Sequence, residues 1–262
     1  MTELINGFNY FIEMLHELRL EFESLPNGSL IKQRNASYSH KISGKSFCIT
    51  NNHVMIRKLA RKRFIKTLIS RIEYNLGLMK NSLTSPSEKI PSLPIKKFKS
   101  LHPRDIIKSL PKSYQGLCET YFYHPFATQW IAQNPTPNDY MLELKVHKSK
   151  KGVFFRSKSE QSFGNLLEDN KLPYKSDVEL TLGGKTKCPD FITINPFLGK
   201  LSIWEFYGLA DQSGYDEKMN EKMVWYRENG CNVINLFESD MRDTQYLQKL
   251  IDEKIWGTKE SE

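Results

Sequence analysis

The sequence predicts an α/β (α+β) chain with a mainly helical N-terminal region, and three observations carry that expectation. Apolar residues recur at helical spacing at Phe8, Phe11, Ile12, Leu15, Leu18 and Phe22, and again from Ile56 to Ile72. Two short runs, Cys188–Ile194 and Leu201–Tyr207, are rich in aromatic and β-branched residues and read as strands. Asn195, Pro196 and Gly199 form a turn between these runs, and helix-like stretches lie on either side.

The elements follow in order. A first helix ends at Leu25-Pro26-Asn27-Gly28. Strand-like runs then occupy Ser29–Gln33, Ser37–Ile42 and Lys45–Ile49, with turns at Asn35 and Ser43-Gly44. A long helix runs from about Val54 to Leu83, so residues 1–83 form a helix–short β-meander–helix module. Residues 84–100 read as a linker, because Pro86, Pro91 and Pro94 stand among several serines. Residues 101–262 form the second expected domain. Pro103-Arg104-Asp105 caps a short helix through Leu110, and an aromatic-rich stretch follows to Gln133, packing against what comes after. Arg156–Glu160 opens a helix that Lys171-Leu172-Pro173 stops. Tyr174–Leu182 is a strand, and Gly183-Gly184 is a hairpin turn. Tyr215–Glu228 is a helix ended by Asn229-Gly230, and Cys231–Phe237 is the last strand.

The two strands joined at Asn195 carry one acid each among apolar neighbours. Paired as a hairpin, they bring Asp190 and Glu205 side by side. Two carboxylates in a half-buried sheet repel each other and need a compensating cation. Oxygen ligands at close quarters suit Mg²⁺.

Pro189-Asp190 followed by Glu205-Phe206-Tyr207 resembles the motif of the PD-(D/E)-x-K nuclease superfamily. The resemblance implies a restriction-endonuclease-like core over about residues 156–240, ordered helix, three antiparallel strands, helix, strand. It implies a metal-dependent endonuclease that hydrolyses phosphodiester bonds with Mg²⁺ (Mn²⁺ substituting), leaving a 5′-phosphate and a 3′-hydroxyl. Asp190, Glu205 and the backbone carbonyl of Phe206 would hold the metal. Glu160 matches the helix acid that many relatives use to hold a water there. The family's lysine would stand at Tyr207, which cannot supply a cation. Glu205-Phe206-Tyr207-Gly208 is similar to a variant in which the lysine has moved to the following helix. That helix offers Lys222 and Lys218, on one face. The variant's spacing to an aromatic, here Tyr226, favours Lys222; Lys218 is nearer the helix start. Met219, Met223 and Tyr226 read as an apolar stripe facing the sheet.

Charge and composition fit that expectation. The 262 residues carry a formal charge of +8, and 39% are hydrophobic. Such a balance favours polyanionic partners. Lys148, Lys150, Lys151, Arg156 and Lys158 precede and open the expected core, where they can guide a nucleic-acid backbone; DNA is preferred over RNA by resemblance. Arg57, Lys58, Arg61, Lys62, Arg63 and Lys66 crowd the long helix, where a solvated face is the simpler reading. Neither cluster shows aromatic interleaving. Cys48, Cys118, Cys188 and Cys231 are scattered, indicating neither structural zinc nor a disulfide framework. His102, His124 and His147 lack metal-ligand spacing. No phosphate-binding glycine loop is present, so no motor activity is expected. No apolar run is long enough for a membrane span, and Met1-Thr2-Glu3-Leu4 does not open a signal segment, so a cytoplasmic location without membrane association is expected. A homodimer or protein partner stays open. Two further readings stand beside the nuclease: an inactive nuclease-fold binding protein, and a structural subunit of a larger complex.

Overall fold

The computed structural model describes residues 2–34, 36–84, 98–138, 141–207 and 215–257. The chain divides into two compact units, Met1–Phe122 with Trp256–Glu262, and Tyr123–Ile255. Most of the expected linker, residues 85–97, lies outside the described residues, as does Gly208.

In the first unit the N-terminal apolar periodicity folds as helix α1 (Thr2–Ser24). An antiparallel meander follows, β1 (Ser29–Lys32), β2 (Tyr38–Ile42) and β3 (Lys45–Cys48), and then helix α2 (His53–Thr84). Gly28 is required at the entrance. Its φ is +103°, and a Cβ there would meet the Lys41 carbonyl oxygen at 2.4 Å. Leu15 and Leu18 of α1 and Ile56, Leu59, Phe64, Ile65, Leu68 and Ile72 of α2 are buried.

The basic run on α2 is not a uniformly solvated face. Arg61 is 2% exposed and forks onto both carboxylate oxygens of Glu21 at 2.7 and 2.8 Å, while donating to the Phe122 carbonyl. Lys62 is buried too, donating to the Leu25 carbonyl at 2.7 Å and to Asn27 Oδ1 at 3.0 Å. Both cations hold the unit together.

The expected domain boundary near residue 100 is not where the units divide. Helices α3 (Pro103–Lys108) and α4 (Lys112–Gln115) and the 3₁₀ turn Glu119–Phe122 belong to the first unit. The reason lies in their partners. Arg71 of α2 bonds the Ser100 and Asp105 carbonyls and Ser109 Oγ, Tyr114 OH accepts from Leu30 N, and the fully buried Phe122 packs on Phe64.

The second unit holds helix α5 (Pro125–Ala132), hairpin β4 (His147–Lys148) and β5 (Phe154–Phe155), and helix α6 (Lys158–Asp169). Then come β6 (Tyr174–Ser176), β7 (Leu180–Leu182), β8 (Lys185–Lys187), β9 (Phe191–Ile194) and β10 (Leu201–Tyr207). Helix α7 (Tyr215–Glu228), β11 (Val233–Phe237), α8 (Glu238–Met241) and α9 (Thr244–Ile251) complete it. The main sheet is ordered β11–β10–β9–β6. Its β6/β9 and β9/β10 pairs are antiparallel, and its β10/β11 pair is parallel. A parallel pair needs a crossover, and α7 supplies it.

The expected strand Tyr174–Leu182 is two strands. Asp177 sits between them at φ +52°, and the second piece leaves the sheet to pair with β8 through Gly183-Gly184, both at positive φ. Strand β9 is buried along its whole length, and its one polar side chain, Thr193, accepts from Trp204 Nε1 at 2.9 Å. Phe163 of α6 packs on Phe191, Trp204 and Phe206 with ring centroids 5.0–5.4 Å apart, pinning the helix to the two central strands. The β9–β10 turn is tied by Asn195 Oδ1, which accepts from the amides of Phe197 and Leu198. His102 and His124 cap α3 and α5 by accepting from Arg104 N and Phe126 N.

Candidate active site

The β9–β10 register places the two acids. Leu201 lies opposite Ile194 and Trp204 opposite Phe191, so the next pair in that antiparallel register is Glu205 with Asp190. The Asp190 charge is felt at Glu205, whose carboxyl it helps push up. Asp190 Oδ2 also accepts from Phe206 N at 2.7 Å. In an extended strand one residue's N–H and C=O face the same neighbour, so the Phe206 carbonyl faces the Asp190 side as well. Glu205 is 1% exposed in the middle of the sheet.

Helix α7 delivers a cation to the pair. Lys222 Nζ donates to Glu205 Oε2 at 2.7 Å and to the Cys188 carbonyl at 2.9 Å. One turn further, the buried Tyr226 hydroxyl donates to Glu205 Oε1 at 2.6 Å. Both Glu205 oxygens therefore have a donor from the same helix face. The Lys218 side chain lies outside the described residues.

Helix α6 brings the third acid. Ser157 caps it by accepting from Glu160 N, and Glu160 Oε2 reaches back to Arg156 N at 3.1 Å. Glu160 and Asp190 line one small cleft of about 10 Å³, room for a single water-sized occupant, with Arg156, Lys145, Ser176, Asp177, Phe154 and Phe155. Asp177 joins the cations there: Lys145 Nζ stands 2.8 Å from its Oδ2, and Arg156 Nη2 and Asn138 Nδ2 lie 3.2 and 3.0 Å from its Oδ1.

The electrostatics follow from that crowding. Burial, then the charge of Asp190, pushes the Glu205 carboxyl up to about 7, against the pull of Lys222 and Tyr226. Burial also raises Asp190, although the Phe206 amide, Lys222 and Arg156 oppose it. Glu160 is raised by burial, with a further push from Asp190. Glu205 and Glu160 thus both feel the charge of Asp190, a crowding that a bound cation would relieve. The donors are carboxyl and carbonyl oxygens, with neither imidazole nor thiolate among them, which fits a hard dication. Among the described residues no three His, Cys, Asp or Glu side chains close into a ready-made metal cluster.

The basic cluster separates into two kinds. Arg156 is half-buried and paired with Asp177 inside the cleft, so it belongs to the site rather than to the surface. Lys148, Lys150, Lys151 and Lys158 are exposed. Lys150 makes an exposed ion pair with Asp169, and Lys148 lies over the Phe154 ring at 5.4 Å. Sequence reasoning missed three members: Tyr226, whose hydroxyl was hidden in an apolar stripe; Asp177; and Lys145. The spacing of Lys222 and Tyr226, one turn apart, is the signal that could have found the first. Comparison with protein-family models, curated proteins and solved structures finds no match for this chain.

Proposed function

We propose that this chain is a Mg²⁺-dependent nuclease of PD-(D/E)-x-K type, with a restriction-endonuclease-like core built from α6, the β6–β9–β10 strands, α7 and β11. The observation that carries the reading is the meeting of Asp190, Glu205 and Lys222. They come from a strand mouth, a neighbouring strand and a crossover helix, and the Lys222 ammonium stands 2.7 Å from Glu205. A lone buried acid has many structural explanations; a cross-strand acid pair with its own cation is the arrangement phosphoryl-transfer chemistry uses.

Asp190, Glu205 and the Phe206 carbonyl would hold the metal. When bound, Mg²⁺ lowers the pKa of water and offsets charge on the scissile phosphate. Glu160, beside the water-sized cleft, orients the attacking water and accepts its proton. Lys222 donates to the negative charge that develops in the transition state. Arg156 and Lys145 offset part of the acidic charge of that cleft, and the exposed Lys148, Lys150, Lys151 and Lys158 attract the phosphate backbone. DNA is the proposed substrate, and the cytoplasm the proposed location. Among the described residues no helix is long and apolar enough to cross a membrane.

Incubation of the purified chain with plasmid and linear DNA in Mg²⁺ or Mn²⁺ tests the reading. Cleavage should vanish with a chelator and in Asp190→Ala, with the circular dichroism spectrum unchanged. Retained cleavage by folded Asp190→Ala overturns the site. A second reading has one observation behind it. With Tyr207 in place of the family lysine and both Glu205 oxygens engaged by α7, the chain could be an inactive nucleic-acid-binding relative. Absence of a Mg²⁺ or Mn²⁺ titration dependent on Asp190 would favour that alternative.

A further inference from the structure

The β4–β5 hairpin places an aromatic ring where the catalytic reading gives it no task. Residues of β5 alternate: Phe155 points inward, 2% exposed and stacked on Tyr174 and Phe191, while Phe154 is 50% exposed. Lys148 is the cross-strand partner of Phe154, and its ammonium lies over that ring at 5.4 Å. Lys150 and Lys151 sit at the hairpin tip, both exposed.

This hairpin is short but not loose. Buried Ser149 donates from Oγ to Glu168 Oε1 at 2.7 Å, Lys151 N donates to Glu168 Oε2 at 2.9 Å, and Lys150 N donates to Asn165 Oδ1 at 2.8 Å. Helix α6 therefore holds the tip from below, and Gly152 closes it at φ +92°. An exposed ring on a fixed base loses little entropy when it gains a partner. The same Phe154 lines the cleft that contains Glu160 and Asp190.

We infer that Phe154 is a stacking platform for an unpaired nucleobase, so that the chain takes single-stranded or locally melted nucleic acid beside its acid cluster. Bases of every type offer a π face, and an aromatic flanked by lysines binds the face and the phosphate together. In a continuous duplex the faces are already covered by neighbouring bases. The ring therefore discriminates between strands rather than between sequences. The inference names the substrate class of the proposed nuclease site and rests on that reading for its meaning, but the stacking itself needs no cleavage.

Fluorescence anisotropy in chelator, where nothing is cut, separates the two. A labelled single strand and a blunt duplex of equal length are titrated with the unmutated chain, Phe154→Ala and Phe154→Trp. Phe154→Ala should weaken single-strand binding about ten-fold or more and duplex binding less than two-fold. Phe154→Trp should retain single-strand affinity, with its added indole emission quenched on binding. Unchanged single-strand affinity in Phe154→Ala overturns the inference and leaves the ring to a protein partner; equal losses on both substrates overturn it as well. Phe154-dependent binding without Mg²⁺-dependent cutting would sink the nuclease reading and leave the stacking standing. Asp190-dependent cutting with a silent Phe154→Ala would do the reverse.

Discussion

Lys222 and Glu205 stand 17 positions apart in the chain, yet Nζ and Oε2 are 2.7 Å apart. Strand β10 and helix α7 make that contact, with the residues at 208–214 between them. The lysine is 19% exposed and the carboxylate 1%, so water screens the pair little. The motif that the sequence resembles would place its cation at position 207. Here that residue is Tyr207, whose ring packs on Phe237 at 5.1 Å.

Lys222→Met should cut turnover about 10²–10³-fold, the usual cost of removing one donor to transition-state charge. Metal affinity should not fall, because the lysine competes with a cation for the same Glu205 oxygen. Single-turnover cleavage rates and a calorimetric Mg²⁺ titration on the same preparation check both halves. Weakened metal binding with normal turnover at saturating Mg²⁺ would remove Lys222 from the chemistry.

The stability of the metal-free protein should fall as pH rises from about 4.5 to about 7. Glu205 keeps its proton in the fold up to about 7, against an ordinary value of 4.5. Over that interval the folded state binds more protons than the unfolded state, so its advantage is full below the lower value and is lost through the upper one. Mg²⁺ needs the deprotonated carboxylates, so its stabilisation should grow with pH instead. Asp190→Asn should lower the upper limit without restoring an ordinary carboxyl, since burial is the larger cause and persists. Urea unfolding at a series of pH values, with and without Mg²⁺, reads all three.

The acid pair was legible because it is local. A turn of known chemistry fixes the β9–β10 register, and register fixes which side chains meet. Lys222 was named as one of two helix positions from the resemblance alone, through its spacing to Tyr226, since its contact with Glu205 spans 17 positions. The limits of the long helix α2 and of the meander strands were also local matters. What sequence did not reveal is long-range. Asp177 gathers Lys145, Arg156 and Asn138 from three other segments, and nothing in its own neighbourhood announces that. The compact units divide after Phe122 because Phe122 and Arg71 bind segments far away in sequence. Phe154 stands between Lys151 and Arg156 in the chain, but only the hairpin register sets its exposed ring opposite Lys148.

Arg61→Ala should destabilise the chain by about 3–5 kcal/mol, the cost of leaving one partner of a buried ion pair alone. Its guanidinium serves Glu21 and the Phe122 carbonyl together, so the loss strands two acceptors. Replacing both charges, Glu21→Met with Arg61→Met, should recover part of that loss. Equilibrium unfolding of the single and double variants distinguishes this from a solvated basic face, for which Arg61→Ala would stay within about 0.5 kcal/mol.

Tyr226→Phe isolates the contact that the apolar pattern concealed. The hydroxyl is buried and donates to Glu205 Oε1 at 2.6 Å, and the ring packs with Ile203 and Trp225 between α7 and the sheet. Phenylalanine keeps that packing and removes only the donor. A hydrogen bond to a charged acceptor contributes about 1.5–3 kcal/mol, and that loss should appear in unfolding measurements above pH 7, where Glu205 is ionised. Below about pH 5 the protonated carboxyl asks less of its partners, so the difference from the unmutated chain should shrink. The hydroxyl also fixes the carboxylate that faces Lys222. Its loss should therefore lower turnover more than it raises the Mg²⁺ concentration needed for half-maximal rate. A variant equal to the unmutated chain in stability at both pH values would show that the hydroxyl merely fills space.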